Sequence, residues 1–181
     1  MSSETGRKEP VQDEFVVQDG VRCPSRAPWA PRVSTLTSLT FIPIILLAFY
    51  TLAQTSVLKL LLWLLLFGIF AYPLRYLVCA RCPYYGQRCS TMLGLTVPRM
   101  FRKQEGRSML LGLWLDVAFF LALFLVPLPE VWRFGGFLLL LLWVGAFVLM
   151  IATVTHLACS VCPLTFCPIG RAGRAVWGRF P

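Results

Sequence analysis

Four long apolar segments constrain the fold of this chain more than any other feature of its sequence. A helix needs about 20 apolar residues to cross the hydrocarbon core of a bilayer. The composition points the same way, because 57% of the residues are hydrophobic and 14% are charged, whereas a soluble domain carries about 25% charged residues. We therefore predict an all-α integral membrane protein with four transmembrane helices. The predicted spans are residues 36–53, 57–78, 109–128 and 134–157.

The spans are predicted to pair into two tandem helical hairpins, because only a few residues separate the first from the second and the third from the fourth. The first hairpin and the cysteine loop after it form residues 36–108. The second hairpin, its cysteine loop and a basic C-terminal tail form residues 109–181. Residues 1–35 are polar and contain several prolines, which predicts a cytosolic tail that is extended or partly disordered.

Basic residues predict the orientation, because loops that stay in the cytosol carry an excess of Lys and Arg. Only Lys59 and Arg133 fall on the opposite side of the predicted membrane. We therefore predict a multi-pass protein of the plasma (inner) membrane, with both termini and both cysteine loops in the cytosol. The net charge of +9 then reflects topology and contact with membrane lipid. Nucleic acid is not an expected partner, since no nucleic-acid motif is present.

An internal repeat of 80 residues relates the two halves of the chain. Shifting the sequence by this length places Cys79, Cys82 and Pro83 on Cys159, Cys162 and Pro163, and Trp63 on Trp143. Matches of Trp and of Cys-x-x-Cys-Pro at one shift are much less common by chance than matches of Leu. We predict two parallel repeats related by a pseudo-twofold axis along the membrane normal. That axis would bring the two cysteine loops together on one face.

The two cysteine loops predict a metal site. Two residues between cysteines let both sulfurs approach one metal from a tight turn, and each copy adds a third cysteine within seven residues. Disulfides are disfavoured in the reducing cytosol, although a Cys-x-x-Cys pair can also serve as a redox dithiol. A soft-metal carrier would need thiols along a path across the membrane, and these thiols lie on one side. The candidate ligands are Cys79, Cys82, Cys89, Cys159, Cys162, Cys167 and His156.

The predicted metal is iron in one or two iron–sulfur clusters, with zinc as the alternative. Proline follows the second cysteine of both motifs, and Cys-Pro recurs among iron–sulfur ligands. The spacing differs from that of ferredoxins, whose runs have successive gaps of two residues. Four thiolates, or three with His156, would also suit a closed tetrahedral zinc site.

Ligand counting leaves the number of sites open. Two sites could each use three cysteines and borrow a fourth ligand, for which His156 and Cys23 are candidates. His156 precedes Cys159 by three residues and would share a helix face with it. One site could instead combine the Cys-x-x-Cys pairs of both repeats.

Asp116 is the acidic residue inside a predicted span, about 10 Å from the cytosolic end at a helical rise of 1.5 Å per residue. An intramembrane carboxylate is costly and usually has a role. It could carry protons for a quinone, or it could pair with Arg75 near the cytosolic end of the second span. Asp116 and Arg75 are therefore the candidate cofactor-binding residues.

These features predict a membrane-bound electron-transfer subunit. Its iron–sulfur cluster would pass electrons between a soluble redox partner and a quinone or membrane complex, which makes the chain a candidate membrane subunit of an oxidoreductase. The alternative is a non-enzymatic membrane scaffold or assembly factor stapled by a structural zinc–thiolate site. Four spans with cytosolic Cys-Pro motifs resemble membrane quinol dehydrogenase subunits, which implies quinone-linked electron transfer. The chain differs from that family in having two rather than three residues between the cysteines and in lacking ferredoxin-type runs.

Overall fold

The computed structural model describes residues 15–91 and 93–178. The protein is mostly helical, at 71%. Two strands, β1 (Phe15–Gln18) and β2 (Val21–Pro24), come first. The helices are α1 (Pro31–Thr55), α2 (Val57–Ala71), α3 (Pro73–Val78), α4 (Leu93–Met100), α5 (Leu110–Leu125), α6 (Leu128–Val154) and α7 (Pro168–Trp177). A 3₁₀ turn (Cys79–Arg81) follows α3, and a π turn (Thr155–Cys159) follows α6.

Within the described residues, three helical segments are long and apolar enough to cross a membrane: Pro31–Thr55, Val57–Arg81 and Leu128–Cys159. This finding confirms the prediction of long apolar helices and indicates a membrane protein. The remaining predicted span, residues 109–128, corresponds to α5, which has 16 residues. At 1.5 Å per residue α5 is about 24 Å long, whereas the hydrocarbon core of a bilayer is about 30 Å thick.

The four apolar helices pack around a shared core. Helix α1 lies along α6, α2 lies along α5, and each also contacts its neighbour in sequence. The indole Nε1 of Trp63 donates a hydrogen bond to the Leu123 carbonyl at 3.1 Å, which ties α2 to α5 inside this core. The fully or nearly fully buried residues of the core are Ala48, Leu52, Trp63, Val131 and Trp143.

The two repeats reach their cysteines by different backbones. In the first repeat, α2 ends at Ala71 and α3 begins at Pro73, because proline lacks the N–H that a continuous helix needs but fits the first turn of a new one. A 3₁₀ turn then leads into the first Cys-x-x-Cys. In the second repeat, α6 runs directly into the π turn.

The N-terminal tail contains a β-hairpin from residue 15 to 24. Its strands are antiparallel, with Val16 opposite Cys23. Asp19 (φ 47°) and Gly20 (φ 78°) both adopt left-handed backbone conformations, as the two central residues of a type I′ hairpin turn do. The polar, proline-containing sequence predicts an extended or partly disordered tail, whereas residues 15–24 pair as a hairpin. The first 14 residues of the predicted tail lie outside the described residues.

Candidate thiol centre

The two Cys-x-x-Cys motifs are closed by the same backbone hydrogen bond. The Cys82 N–H donates to the Cys79 carbonyl at 3.3 Å, and the Cys162 N–H donates to the Cys159 carbonyl at 3.3 Å. The similarity that the sequence shows in these motifs therefore extends to their backbone hydrogen bonds.

The match continues beyond the prolines. The Gln87 N–H donates to the Tyr84 carbonyl at 3.0 Å, and 80 residues later the Cys167 N–H donates to the Leu164 carbonyl at 3.4 Å. Tyr84 and Leu164 are both buried. Each cysteine loop thus makes two consecutive turns and inserts one large side chain into the protein.

Both loops pack against one core at the same end of the helices. Tyr84, Met109, Ala158 and Leu164 are buried members of that core, which we call the thiol core. The sequence predicted that the two loops would meet, and the structure brings them to this shared core. The cysteines that belong to the thiol core or pack against it are Cys23, Cys79, Cys82, Cys89, Cys162 and Cys167.

The second cysteine of each motif sits in a matched electrostatic environment. Burial raises the pKa of the Cys82 thiol far above its usual range, and a hydrogen bond from the Tyr84 backbone N–H opposes this effect. Burial raises the pKa of the Cys162 thiol to about 11, and the Leu164 backbone N–H opposes it in the same way. Both thiols are therefore protonated at neutral pH without a metal, but each has a backbone donor that favours the thiolate.

The thiols of the two repeats are close enough to affect one another. Burial is the main cause of the raised pKa of Cys82. Neighbouring thiols raise this pKa further, and Cys162 of the other repeat is one of them. The Cys23 thiol of the tail likewise raises the pKa of Cys162. Three separate segments of the chain thus bring sulfur into one electrostatic neighbourhood.

The second loop is held by an arginine of α7. The guanidinium of Arg174 donates to the carbonyls of Cys162 (3.1 Å), Leu164 (3.3 Å) and Thr165 (3.4 Å). Gly173 lets α7 pack closely on the turn that carries Cys159. A Cβ at this position would lie only 3.2 Å from the Cys159 Cβ. Sequence reasoning missed the role of Arg174, which it treated only as a topology signal.

The sulfur of Cys89 is engaged by its own loop. It donates to the Thr91 carbonyl at 2.8 Å and accepts from the Thr91 N–H at 3.4 Å. Cys167, the third cysteine of the second loop, occupies the N-cap position of α7 without a side-chain capping hydrogen bond. Its sulfur lies near the backbone N–H groups of Ile169 and Gly170, which favour the thiolate. Burial is nevertheless the larger effect and raises the pKa of the Cys167 thiol.

His156 lies in the π turn, where the backbone no longer follows the α-helical spacing that would align it with Cys159. Its ring meets the Trp177 ring edge to face, with centroids 5.1 Å apart. Its carbonyl accepts a hydrogen bond from the Ser160 hydroxyl at 2.5 Å.

Arg75 and Asp116 form an ion pair between α3 and α5. The Arg75 Nε also donates to the Phe70 carbonyl at 3.0 Å, and the guanidinium carbon lies 4.6 Å from the centroid of the Phe70 ring. The same guanidinium approaches the Cys79 sulfur. The pair therefore lies between the first cysteine motif and the apolar helices.

A second ion pair, absent from the sequence predictions, lies at the opposite end of the helices. Glu130 at the start of α6 is buried and pairs with Lys59 of α2. Arg133 also donates to Glu130, at 3.4 Å. Two basic residues on the side that is otherwise poor in charge were the available signal for this cluster.

Among residues 15–91 and 93–178, no three His, Cys, Asp or Glu side chains lie close enough together to hold a metal ion. All seven cysteines are free thiols in this part of the chain. The thiol core therefore gathers sulfur without arranging it around a single ion.

Comparison with known proteins returns no match to a family model, a curated protein or a solved structure. What the thiol core does must be inferred from its own chemistry.

Proposed function

We propose that the chain is a membrane-bound electron-transfer subunit whose thiol core holds an iron–sulfur cluster at the cytosolic interface. The observation that supports this most is the matched pair of turns, in which a backbone N–H is directed at the sulfur of Cys82 and, again, of Cys162. Hydrogen bonds to sulfur favour thiolate over thiol, and they are one of the main ways in which proteins tune the potential of an iron–sulfur cluster.

An iron–sulfur cluster is favoured over a single zinc ion by the prolines that follow the second cysteine of both motifs, because Cys-Pro recurs among iron–sulfur ligands. Four thiolates would also suit a closed tetrahedral zinc site, which is why metal analysis decides between the two.

The proposed topology has four spans in two hairpins related by a pseudo-twofold axis. Ser56 joins α1 to α2, and two residues join α5 to α6, so each pair turns back at once. Helix α5 would be the shortest span, flanked by the apolar residues Met109 and Val126 at its two caps. With the basic loops in the cytosol, both termini and the thiol core would lie on the inner face of the plasma membrane.

The proposed electron path runs from a soluble redox partner at the cytosolic face, through the cluster, to a quinone or a membrane complex. The location of the Arg75–Asp116 pair supports this path. The pair lies next to Cys79 and joins α3 to the apolar helix α5. Charged groups inside a membrane commonly serve ions, protons or polar ligands. At this position the pair could bind a quinone headgroup.

Electron transfer is tested by anaerobic stopped-flow mixing of the dithionite-reduced protein with a short-chain quinone. The proposal predicts reoxidation of the visible absorption, and predicts slower reoxidation in Asp116→Asn with an unchanged cluster spectrum. The matched control is Glu105→Gln, which alters an exposed carboxylate in the cytosolic loop. A reduced wild-type protein that is reoxidised no faster with quinone than without it would contradict the proposal.

The competing function is a zinc-stapled scaffold or assembly factor. It is favoured by the way in which the tail and both loops are fastened into one core, as a purely structural site would require. In that case metal removal should lower the melting temperature, and the protein should show no reducible chromophore.

A further inference from the structure

A kink divides α6 near the end of the helices that lies opposite the thiol core. At Gly136 the backbone adopts φ 60° and ψ −152°, a combination that is essentially confined to glycine. Residues 128–135 therefore form a short helix of their own. The helical residues that follow, 137–159, still exceed the length of about 20 residues that a span needs, so the short helix is not required to cross the bilayer.

The residue before the kink also has to be small. A Cβ on Gly135 would lie 2.4 Å from the Leu139 Cβ, far inside the usual contact distance of about 3.5–4.0 Å. The two glycines have separate roles, because Gly136 supplies the turn and Gly135 lets the short helix approach the span. The kink is thus specified by two adjacent residues of this sequence.

An apolar groove lies at the bend. Leu128, Pro129, Trp132 and Arg133 of the short helix line one part of it, and Leu140 of the span lines the other. Its volume is about 350 Å³, which falls within the range of ligand sites, about 300–1,000 Å³. All of the lining side chains except that of Arg133 are apolar, so the groove suits a hydrocarbon chain.

A cluster of three charges borders the groove at Arg133. Glu130 of the short helix is buried, pairs with Lys59 of α2, and accepts from the Arg133 guanidinium at 3.4 Å. The two cations share one carboxylate, so the cluster carries one positive charge in excess. The Arg133 side chain is 72% exposed and has five N–H donors, more than a single contact with Glu130 uses.

The groove is continuous with the surface expected towards lipid. Trp132 on its lining is exposed, and so are Phe137 and Leu138 just beyond the kink. Tryptophan is enriched where the hydrocarbon core of a membrane meets the headgroups, and large exposed apolar side chains face the core itself. The charge cluster and the groove therefore lie at the boundary between headgroups and acyl chains.

We propose that this bend is a binding site for one anionic phospholipid, with an acyl chain in the groove and the phosphate on the Arg133 guanidinium. Arginine matches phosphate through paired N–H···O bonds. The excess positive charge of the cluster suits a headgroup with one net negative charge, such as that of phosphatidylglycerol, better than a zwitterionic headgroup. The site is independent of the proposed iron–sulfur function, because it lies at the opposite end of the helices.

Native mass spectrometry of the full-length, delipidated protein in a non-ionic detergent tests the site. The protein is titrated with phosphatidylglycerol and, separately, with phosphatidylcholine of the same acyl chains. The first phosphatidylglycerol should bind about tenfold more tightly than the first phosphatidylcholine.

Arg133→Gln should remove this preference, because the cluster without the arginine has no excess charge. Its matched control is Arg171→Gln, which removes the same charge from an exposed position of α7 and should keep the preference of the wild type. The Arg133 side chain is largely exposed, so Arg133→Gln should fold, which its melting temperature checks.

Leu140→Trp tests the apolar part of the site. The larger side chain should occupy the place of the acyl chain and weaken the binding of both lipids about tenfold, the effect of losing roughly two buried methylenes. The matched control is Leu138→Trp, because Leu138 is exposed outside the groove and its replacement should leave the affinities unchanged.

Three results would overturn the proposal. They are equal affinity of the wild type for the two lipids, an unchanged preference in Arg133→Gln, and equal effects of Leu140→Trp and Leu138→Trp. If Leu140→Trp does not fold, the comparison of Arg133→Gln with Arg171→Gln decides.

Discussion

At the scale of single residues, the second cysteine of each motif meets the same surroundings: burial, a backbone N–H two residues later and a thiol from another segment. The thiols of Cys82 and Cys162 are consequently neutral in the metal-free protein, and in the proposed metal centre each would become a thiolate as the metal replaced its proton. Metal binding should therefore release protons and strengthen as the pH rises.

The raised pKa of Cys162 predicts how the stability of the metal-free protein depends on pH. Its pKa is about 11 in the folded state, against 9.0 for an ordinary thiol, so between these values the folded state keeps a proton that the unfolded state loses. The free energy of unfolding should therefore fall as the pH rises from about 9 to 11. Thermal denaturation of metal-free protein across this range measures it. Cys162→Ser should show a shallower decline, and a melting temperature that increased with pH would contradict the assignment.

Arg174 provides a second residue-level prediction. Replacement by Ala removes the donor for three loop carbonyls, and a hydrogen bond from a charged group contributes about 1.5–3 kcal/mol. Arg174→Ala should lower the free energy of unfolding by about 2 kcal/mol, measured by denaturation in detergent. Arg171→Ala, an exposed change one turn earlier in α7, should have little effect. Equal losses from both variants would show that the Arg174 contacts are unimportant.

At the scale of elements, the packing of α5 on α3 depends on a close approach at Gly112. A Cβ at this position would lie 2.9 Å from the backbone carbonyl of Leu77. Gly112→Ala should therefore push the helices apart, at a cost of about 1–3 kcal/mol, and disturb the nearby Arg75–Asp116 pair. Thermal unfolding in detergent tests this. The control is Gly145→Ala in α6, where a Cβ meets nothing within 4 Å, and which should be neutral or stabilising.

The link between α2 and α6 at the opposite end depends on Glu130. Breaking a buried ion pair costs about 3–5 kcal/mol, but the Lys59 side chain is 38% exposed and can be hydrated. Glu130→Ala should accordingly cost about 1–3 kcal/mol. Glu105→Ala removes an exposed pair with Lys103 and should change stability by at most about 1 kcal/mol. A Glu130→Ala variant as stable as Glu105→Ala would contradict a structural role for the buried cluster.

The sequence predicts some elements well because their signals are local. Long apolar runs specify α1, α2 and α6, and the Cys-x-x-Cys-Pro repeat specifies two turns of equal geometry. The Asp19-Gly20 pair is also a local signal for a hairpin turn, but β1 and β2 have only four residues each, too few for their pattern to indicate strands. The docking of that hairpin on Arg107 and Met109, 89 and 90 positions away in the chain, is a non-local event, which no sequence pattern within the tail specifies.

The same distinction applies to the thiol core. That the two cysteine loops pack on one core followed from the repeat, although Cys159 is not among the cysteines that pack there. That Cys23 joins them, buried in the same core as Tyr84, depends on tertiary packing. The length of α5 was also overestimated, because apolar residues at 126–128 turn into α6 instead of extending the helix.

At the scale of the whole molecule, the helices and the thiol core divide the protein into two regions. The apolar helices carry large exposed hydrophobic side chains, among them Leu58, Leu65 and Leu138, which is the surface expected towards lipid. The tail, the two loops and the short helices α4 and α7 gather at one end, together with most of the basic residues. The account therefore assigns anchoring to one region and metal chemistry to the other.

The central claim, that the two repeats jointly hold an iron–sulfur cluster, is tested most directly by anaerobic purification followed by iron, acid-labile sulfide and zinc analysis with a visible spectrum. The account predicts a brown wild-type protein that contains iron and sulfide, and a loss of both in Cys82→Ser and in Cys162→Ser, because each repeat supplies a necessary ligand. A colourless wild-type protein with stoichiometric zinc, or one whose seven thiols are all free to be alkylated without metal, would contradict it.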